Sequence, residues 1–343
     1  MLAMVVVGAA LLGVILYQAD LSEAWRLLSQ VGVSGMALLL SVYVVGGFGE
    51  SASWLFTLPS LVPGPRWQWR FFRMWIVGMA LEYVTPLASL GGEPMKAILL
   101  KRHYGVPYRD GSASLVLTRM TDLVAQVLFM AIGLGLMFRD ELLPAGYRIG
   151  ALAGLVIFAV AILGFFLVQT NRVFSRLRGW LERGRLGARL SERALAGLDA
   201  VHDVETQLVE FYSARRLRFA LSVAVAFAGW SSGALAAWWA LDLLGHPVSF
   251  SDAFVIEAFM LLVRSTLFFV PADLGTQEGA LVLSVDAITG SPSAGVALAA
   301  IRRARDIVFV LVGLALGVHY SVTLRDLGEE LPAPARGQAD SGT

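Results

Sequence analysis

The sequence predicts an all-α polytopic membrane protein with about six transmembrane spans and two re-entrant helical hairpins, arranged as an inverted repeat. Three observations support this fold class. Of the 343 residues, 57% are hydrophobic and only 15% are charged, whereas soluble domains have about 25% charged residues. Several apolar stretches are long enough to cross a bilayer as helices. Finally, one motif of proline, glutamate, arginine and aspartate occurs in each half of the chain.

The composition also excludes several classes of functional site. The chain contains no cysteine, which excludes disulfides, cysteine-ligated zinc, iron–sulfur clusters and thiol catalysis. Its four histidines are scattered, with no metal-ligand spacing, so we expect neither a metal site nor another cofactor. The net charge is only +1, and we therefore expect no nucleic-acid partner.

Apolar stretches define the predicted spans, because a transmembrane helix needs about 20 predominantly apolar residues. The stretches of this length are 1–19, 33–58, 111–138, 147–168, 218–241 and 296–320. Two further apolar regions, 71–104 and 254–289, have shorter arms separated by proline and glycine. The separating residues are Pro86, Gly91, Gly92, Pro271 and Gly275. We predict a re-entrant hairpin in each region, since broken backbone at membrane depth is tolerated beside protein or a water-filled cavity.

The charges of the loops predict the orientation of the chain. In this topology, the loops on one side contain 19 arginines and lysines, and those on the other side contain three. Because basic loops remain in the cytoplasm, we expect a multi-pass protein of the cytoplasmic membrane with both termini inside. The basic linker 172–216 is expected to be either an amphipathic helix pair on anionic headgroups or an ordinary connecting loop. The tail 326–343 is expected to be disordered.

An internal repeat is the most informative feature of the sequence. Its members are Pro86, Glu93, Arg119 and Asp122 in the first half, and Pro271, Glu278, Arg303 and Asp306 in the second. In both halves the glutamate follows the proline by seven residues, and the aspartate follows the arginine by three. The predicted topology orients the halves, 1–145 and 147–325, in opposite directions. Inverted repeats with broken helices are typical of secondary transporters, whose site lies where the breaks meet.

The repeated charges are expected to face a partner or a polar cavity, because a charge at the bilayer centre costs about 2.5–3.5 kcal/mol on insertion scales. In each half the arginine and the aspartate can pair on one helix face. Two readings remain open. In the first, the arginine–aspartate pairs stabilise each half, and Glu93 and Glu278 cap the broken helices. In the second, the arginines bind an anionic group such as phosphate. Further charges for such a cavity are Glu50, Glu82, Glu257 and Arg264.

The segments 91–100, 119–122 and 271–280 resemble a known family, the flippase-like membrane domain of lysylphosphatidylglycerol synthases. The resemblance covers roughly residues 5–320 and implies transport of a phospholipid, isoprenoid lipid or glycolipid. The residues that match the family pattern are Gly92, Glu93, Arg119, Asp122, Gly275, Glu278, Arg303 and Asp306. The synthases carry an aminoacyltransferase domain after the membrane part, and this sequence does not, so aminoacyl transfer is not expected.

Taken together, the motifs favour a flippase rather than an enzyme. We expect it to move an anionic phospholipid, or a polyprenyl-linked, hopanoid or glycolipid-type lipid, between leaflets. The alternatives are a membrane-embedded lipid-modifying transferase and a scaffold subunit of a lipid-biosynthesis complex that docks through 172–216. The expected partners are membrane lipids with anionic headgroups. Further partners considered are a second copy of this chain and a protein of lipid biosynthesis.

The charge bias of the loops generates a first prediction. Cysteines introduced as Arg176→Cys and His246→Cys into this cysteine-free chain should react with an impermeant thiol reagent from opposite sides of the membrane. Labelling of sealed vesicles before and after permeabilisation measures this. Labelling of both positions from the same side would contradict the six-span topology.

Overall fold

The computed structural model of the protein describes residues 21–84, 92–139, 144–170, 211, 214–266 and 275–320. Within these ranges the regular secondary structure is entirely helical. The helices are α1 (Leu21–Thr57), α2 (Pro65–Val84), α3 (Gly92–Tyr104), α4 (Tyr108–Arg139), α5 (Ala145–Thr170), α6 (Arg216–Leu243), α7 (Phe250–Thr266), α8 (Thr276–Thr289) and α9 (Pro292–His319). The predicted all-α class is thereby confirmed.

Four helices, α1, α4, α5 and α6, are long and apolar enough to cross a membrane. They correspond to four of the predicted spans, and the chain is a multi-pass membrane protein. The predicted span 296–320 is the 28-residue helix α9, whose central turns carry three arginines and an aspartate. The predicted span 1–19, the tail 326–343 and nearly all of the linker 172–216 lie outside the described residues.

The first predicted loop, residues 20–32, is a helix in the structure. Helix α1 begins at Leu21, and its regular geometry is interrupted at Gly32, which has φ 61° and ψ −179°. The turns before this break are amphipathic, because Leu27 and Val31 are buried while Trp25 is 72% exposed. A connection between two spans can be helical, and here most of its apolar residues face the core while its polar residues face outward.

Two pairs of helices occupy the regions predicted as hairpins, α2 with α3 and α7 with α8. Helices α3 and α8 have 13 and 14 residues, about 20 Å each, which is less than the hydrocarbon thickness of about 30 Å. Helix α2 has 20 residues, so it is longer than the predicted arm. The connections 85–91 and 267–274, with Pro86, Gly91 and Pro271, lie outside the described residues.

The two helices of the first pair run antiparallel. Trp67 near the start of α2 contacts Tyr104 at the end of α3, with ring centroids 5.5 Å apart. The side chain of Lys96 packs at Gly78, further along α2. The start of α2 and the end of α3 therefore lie on the same side of the molecule, as a hairpin requires.

Helices α1 and α6 form the main contact between the two halves of the chain, and they are antiparallel. Gly35 near the start of α1 faces Leu243 at the end of α6. Ser53 near the end of α1 forms a hydrogen bond of 2.8 Å with Ser222 near the start of α6. Small residues allow this close approach, which is how membrane helices associate when no hydrophobic driving force acts between them.

The contacts between helices follow the same pattern in both halves. When α1 to α4 are matched in order with α6 to α9, each pair of extensively contacting helices among these eight has an equivalent pair in contact. Thus α2 packs against α9 as α7 packs against α4, and α1 packs against α9 as α6 packs against α4. Helix α5 packs against α4 and α7.

The largest apolar core lies between the halves and positions the charged residues described below. It contains Leu39 of α1, Ala237 of α6, Leu281 of α8 and Ile301 of α9, all fully buried. Apolar side chains also cover the outer surface. Ile157 of α5 is 69% exposed, as expected for a lipid-facing position.

The α1–α6 contact generates a second prediction. A Cβ atom at Gly49 would lie 3.2 Å from the carbonyl oxygen of Val225 and 3.4 Å from the Cα atom of Gly229. Gly49→Leu should therefore separate the helices and lower the free energy of unfolding by about 1–3 kcal/mol, the usual cost of overpacking. Gly135→Leu is the matched control, because nothing lies within 4 Å of its Cβ position. Equal unfolding free energies for the two variants, measured in detergent, would contradict the close contact.

Candidate functional site

The charged residues of the two halves converge where the N-terminal ends of α3 and α8 meet α4 and α9. Glu50 of α1 shows the convergence, because the charges that act on it are those of Asp122, Lys96 and Arg305. These residues come from both halves of the sequence. Glu50 also accepts a hydrogen bond of 3.1 Å from the indole N–H of Trp75.

In the second half, Glu278 binds both its own helix start and the next helix. One carboxylate oxygen accepts a hydrogen bond of 2.8 Å from the backbone N–H of Gly275, which has the left-handed φ of 81°. The other accepts from the guanidinium of Arg303 at 2.5 Å. The predicted capping role is therefore present, and the same carboxylate also fixes α8 to α9.

Asp306 lies one turn after Arg303 in α9 and is paired with two arginines. Its predicted partner Arg303 is 3.9 Å away, while Arg305 is closer, at 2.5 Å. The guanidinium of Arg305 also lies 4.5 Å from the ring centroid of Tyr43 in α1, a cation–π contact. The second oxygen of Asp306 is buried and accepts no hydrogen bond from the described residues.

In the first half, Asp122 is held by three donors. The predicted pair with Arg119 is present at 3.4 Å. Gln126 of the same helix donates at 2.8 Å, and the indole N–H of Trp230 in α6 donates at 2.9 Å. Arg119 itself is open, since 68% of its side chain is exposed against 27% for Arg303.

Glu93 near the start of α3 has a different partner from Glu278. It pairs with Lys96 three residues later, at 2.6 Å. The Glu93 side chain is 47% exposed and that of Lys96 is 10% exposed. The methylene groups of Lys96 pack on Gly78 of α2, which allows the long side chain to lie along the helix pair.

The three remaining candidate cavity residues lie in α2 and α7. Glu257 of α7 forms an ion pair with Arg302 of α9, and both side chains are almost fully buried, at 6% and 4% exposure. Arg264 lies in the last turn of α7. Glu82 lies at the end of α2 beside Gly92, at the start of α3. All ten predicted charged residues thus lie in the described part of the chain.

Several residues of the cluster were missed by sequence reasoning, namely Lys96, Trp75, Gln126, Trp230, Arg302 and Arg305. A local signal existed for Lys96, because a glutamate and a lysine three residues apart on a helix form a pair. No local signal existed for the indoles, which reach the cluster from other helices. Among the described residues, no group of three or more histidines, aspartates and glutamates could hold a metal ion.

Comparisons with known proteins identify a family of membrane proteins that covers most of the chain. A family described as the lysylphosphatidylglycerol synthase TM region matches residues 1–313. A relative named UPF0104 membrane protein, from Methanothermobacter thermautotrophicus, is 24% identical over 314 residues, which cover 87% of this chain and 88% of the relative. No solved structure matches the chain.

The buried pair of Glu257 and Arg302 generates a third prediction. Arg302→Met should lower the free energy of unfolding by about 3–5 kcal/mol, because it leaves an uncompensated buried carboxylate. The double variant Glu257→Leu/Arg302→Met should recover most of the loss, since both charges are removed. Arg26→Gln is the control, as its pair with Glu23 is exposed. An Arg302→Met protein as stable as the control, in thermal and denaturant unfolding, would show that the pair is not the buried anchor of α7 and α9.

Proposed function

We propose that this chain, which belongs to the lysylphosphatidylglycerol synthase TM region family, moves an anionic lipid between the two leaflets of a membrane. The observation that carries the proposal is the cluster of ion pairs at the junction of two equivalent halves, in which one arginine stays open. The activity proposed is transport, with no change in the covalent structure of the lipid.

The first support is the relationship of the halves. Their helix contacts match when α1 to α4 are aligned with α6 to α9, and the equivalent helices α1 and α6 are antiparallel. Equivalent helices of opposite direction are what an inverted repeat produces, and transporters of this architecture alternate by rocking one repeat against the other.

The second support is the pair of short helices that begin near the charged cluster. Helices α3 and α8 are each too short to span, so we interpret α2–α3 and α7–α8 as re-entrant hairpins. A helix N-terminus carries a partial positive charge of about half a unit. One of these ends lies beside Arg303 and the other beside Lys96. Together they favour an anionic group within the membrane, as in the discontinuous helices of known transporters.

The third support is the state of Arg119. A guanidinium matches the oxygens of a phosphate through two parallel hydrogen bonds. Arg303 is already bound to Glu278 at 2.5 Å, whereas the Arg119 side chain is 68% exposed and is 3.4 Å from Asp122. In this conformation Arg119 is therefore the residue proposed to receive the headgroup phosphate.

Charge supports the proposed membrane and the proposed class of lipid. The 19-to-3 bias of basic loop residues favours the cytoplasmic membrane with both termini inside. The substrate class proposed is a lipid with a phosphate-containing anionic headgroup, such as an anionic phospholipid, a polyprenyl phosphate or an anionic glycolipid or hopanoid.

Lipid translocation in proteoliposomes tests this function. Wild-type protein should accelerate the exchange of a fluorescent phosphatidylglycerol between leaflets, measured by reduction of the outer-leaflet fluorophore with dithionite. Arg119→Gln should lower the rate at least about tenfold, because a hydrogen bond to a charged group contributes about 1.5–3 kcal/mol.

Arg26→Gln is the matched control, because it removes an arginine of a glutamate pair three residues apart that lies away from the cluster. Its rate should equal that of the wild type. Equal rates for folded Arg119→Gln and wild type would remove Arg119 from the site. A wild type that accelerates no lipid would contradict the proposed function itself.

A further inference from the structure

The two halves differ at equivalent ion pairs, although their sequence motif is the same. Glu278 is bound to Arg303 at 2.5 Å. In the first half the equivalent glutamate, Glu93, is bound to Lys96 at 2.6 Å, and Arg119 contacts Asp122 instead. In the second half an ion pair therefore joins the short helix to the following helix, whereas in the first half the glutamate and the arginine have separate partners.

The spacing of the helices shows the same difference independently. Gly111 and Gly295 are equivalent, since each precedes the arginine of the motif by eight residues. A Cβ atom at Gly111 would lie 3.6 Å from the Cα atom of Ala97 in α3, whereas one at Gly295 would lie 2.6 Å from the Cα atom of Val282 in α8. Ala97 and Val282 are also equivalent, so α8 approaches α9 about 1 Å more closely than α3 approaches α4.

The residue three positions after each glutamate explains why the two glutamates bind different partners. Lys96 is three residues after Glu93, and the residue three after Glu278 is Leu281, which is fully buried in the core. Helix α8 contains no lysine or arginine, so its glutamate has no cation on its own helix. In α3 the ammonium of Lys96 binds the carboxylate of Glu93.

We infer that Lys96 is a positioning residue that holds Glu93 away from Arg119 and so keeps Arg119 open to the headgroup. In the opposite state Glu93 binds Arg119 and expels the headgroup, while Glu278 releases Arg303. The inference rests on the proposed function, because it states how that site alternates. It adds a residue, Lys96, whose charge selects between the two states.

In this inference, the two states have similar free energies, as a transporter that alternates between two conformations requires. One carboxylate–guanidinium pair forms as the other breaks, so neither state leaves a motif arginine without an acceptor. A small free-energy difference then shifts the populations, since a ligand or a residue acts only through its differential interaction with the two states. Lys96 interacts with Glu93 in one state and loses that partner in the other.

Thiol accessibility in the cysteine-free chain measures the two populations. Gln277 adjoins Glu278, and 6% of it is exposed, so Gln277→Cys should react slowly with a water-soluble maleimide while α8 is fixed to α9. Adding Lys96→Leu should raise the reaction rate about fivefold, the ratio that one partly exposed ion pair sustains. Lys96→Met should give the same increase, and Lys101→Leu, on the exposed last turn of α3, should give none.

A second substitution separates charge exchange from a packing effect. If Glu93 drives the change by binding Arg119, then Glu93→Gln added to Lys96→Leu should return the reaction rate of the cysteine to that of the Gln277→Cys parent. An equal rate with and without Glu93→Gln, in proteins with equal melting temperatures, would overturn the inference, as would a rate unaffected by Lys96→Leu. Lipid flipping by wild type with unchanged thiol rates would reject the exchange alone, whereas shifted thiol rates without flipping would reject the proposed function alone.

Discussion

An ionised side chain in the hydrocarbon layer of a membrane needs an acceptor, a donor or water, because the lipid chains provide none of these. This protein contains many such side chains, and the arrangement of its helices follows from the partners they require. Asp122 is bonded to Trp230 of α6, and Arg305 lies on Tyr43 of α1. Each of these contacts joins one half of the chain to the other. The charges that define the candidate site are therefore also contacts that hold the halves in register.

The neutral polar contacts serve the same purpose with a smaller desolvation cost. Ser222 of α6 is bonded to Ser53 of α1 and to Thr121 of α4, each at 2.8 Å, and all three side chains are fully buried. Apolar side chains alone do not select one helix arrangement in a membrane, because lipid is as apolar as leucine. Hydrogen bonds between hydroxyl groups, and close helix contacts at glycines, select this helix arrangement over others. They join α1, α4 and α6 to one another.

Sequence reasoning predicted the features that depend on local spacing. The spans α4 and α6, the pairing of Arg119 with Asp122 and the capping role of Glu278 follow from periodicity, from a separation of three residues and from a break in the helix. It failed where the partner comes from another helix. The pair of Glu257 and Arg302 joins residues 45 apart, and no local pattern links them. The helical start of α1 was not predicted, because residues 20–32 were treated only as the connection between two apolar stretches.

The repeat itself contained more information than the motif of four residues used to find it. Gly111 and Gly295 extend the alignment, and Lys96 against Leu281 marks where the halves diverge. In the proposed mechanism, this difference gives the positive charge of Lys96 a role, although the other half has no equivalent charge. Two identical halves have two states of equal energy, and an empty site would then face each leaflet equally often. A lysine in one half removes the degeneracy. In the proposed mechanism, the glutamates also act as internal substitutes for the lipid phosphate, because carboxylate and phosphate oxygens bind the same N–H edge of a guanidinium. The lipid can then leave the site without leaving an unpaired arginine in the membrane. The need to pair each motif arginine within the membrane is thus met in both states.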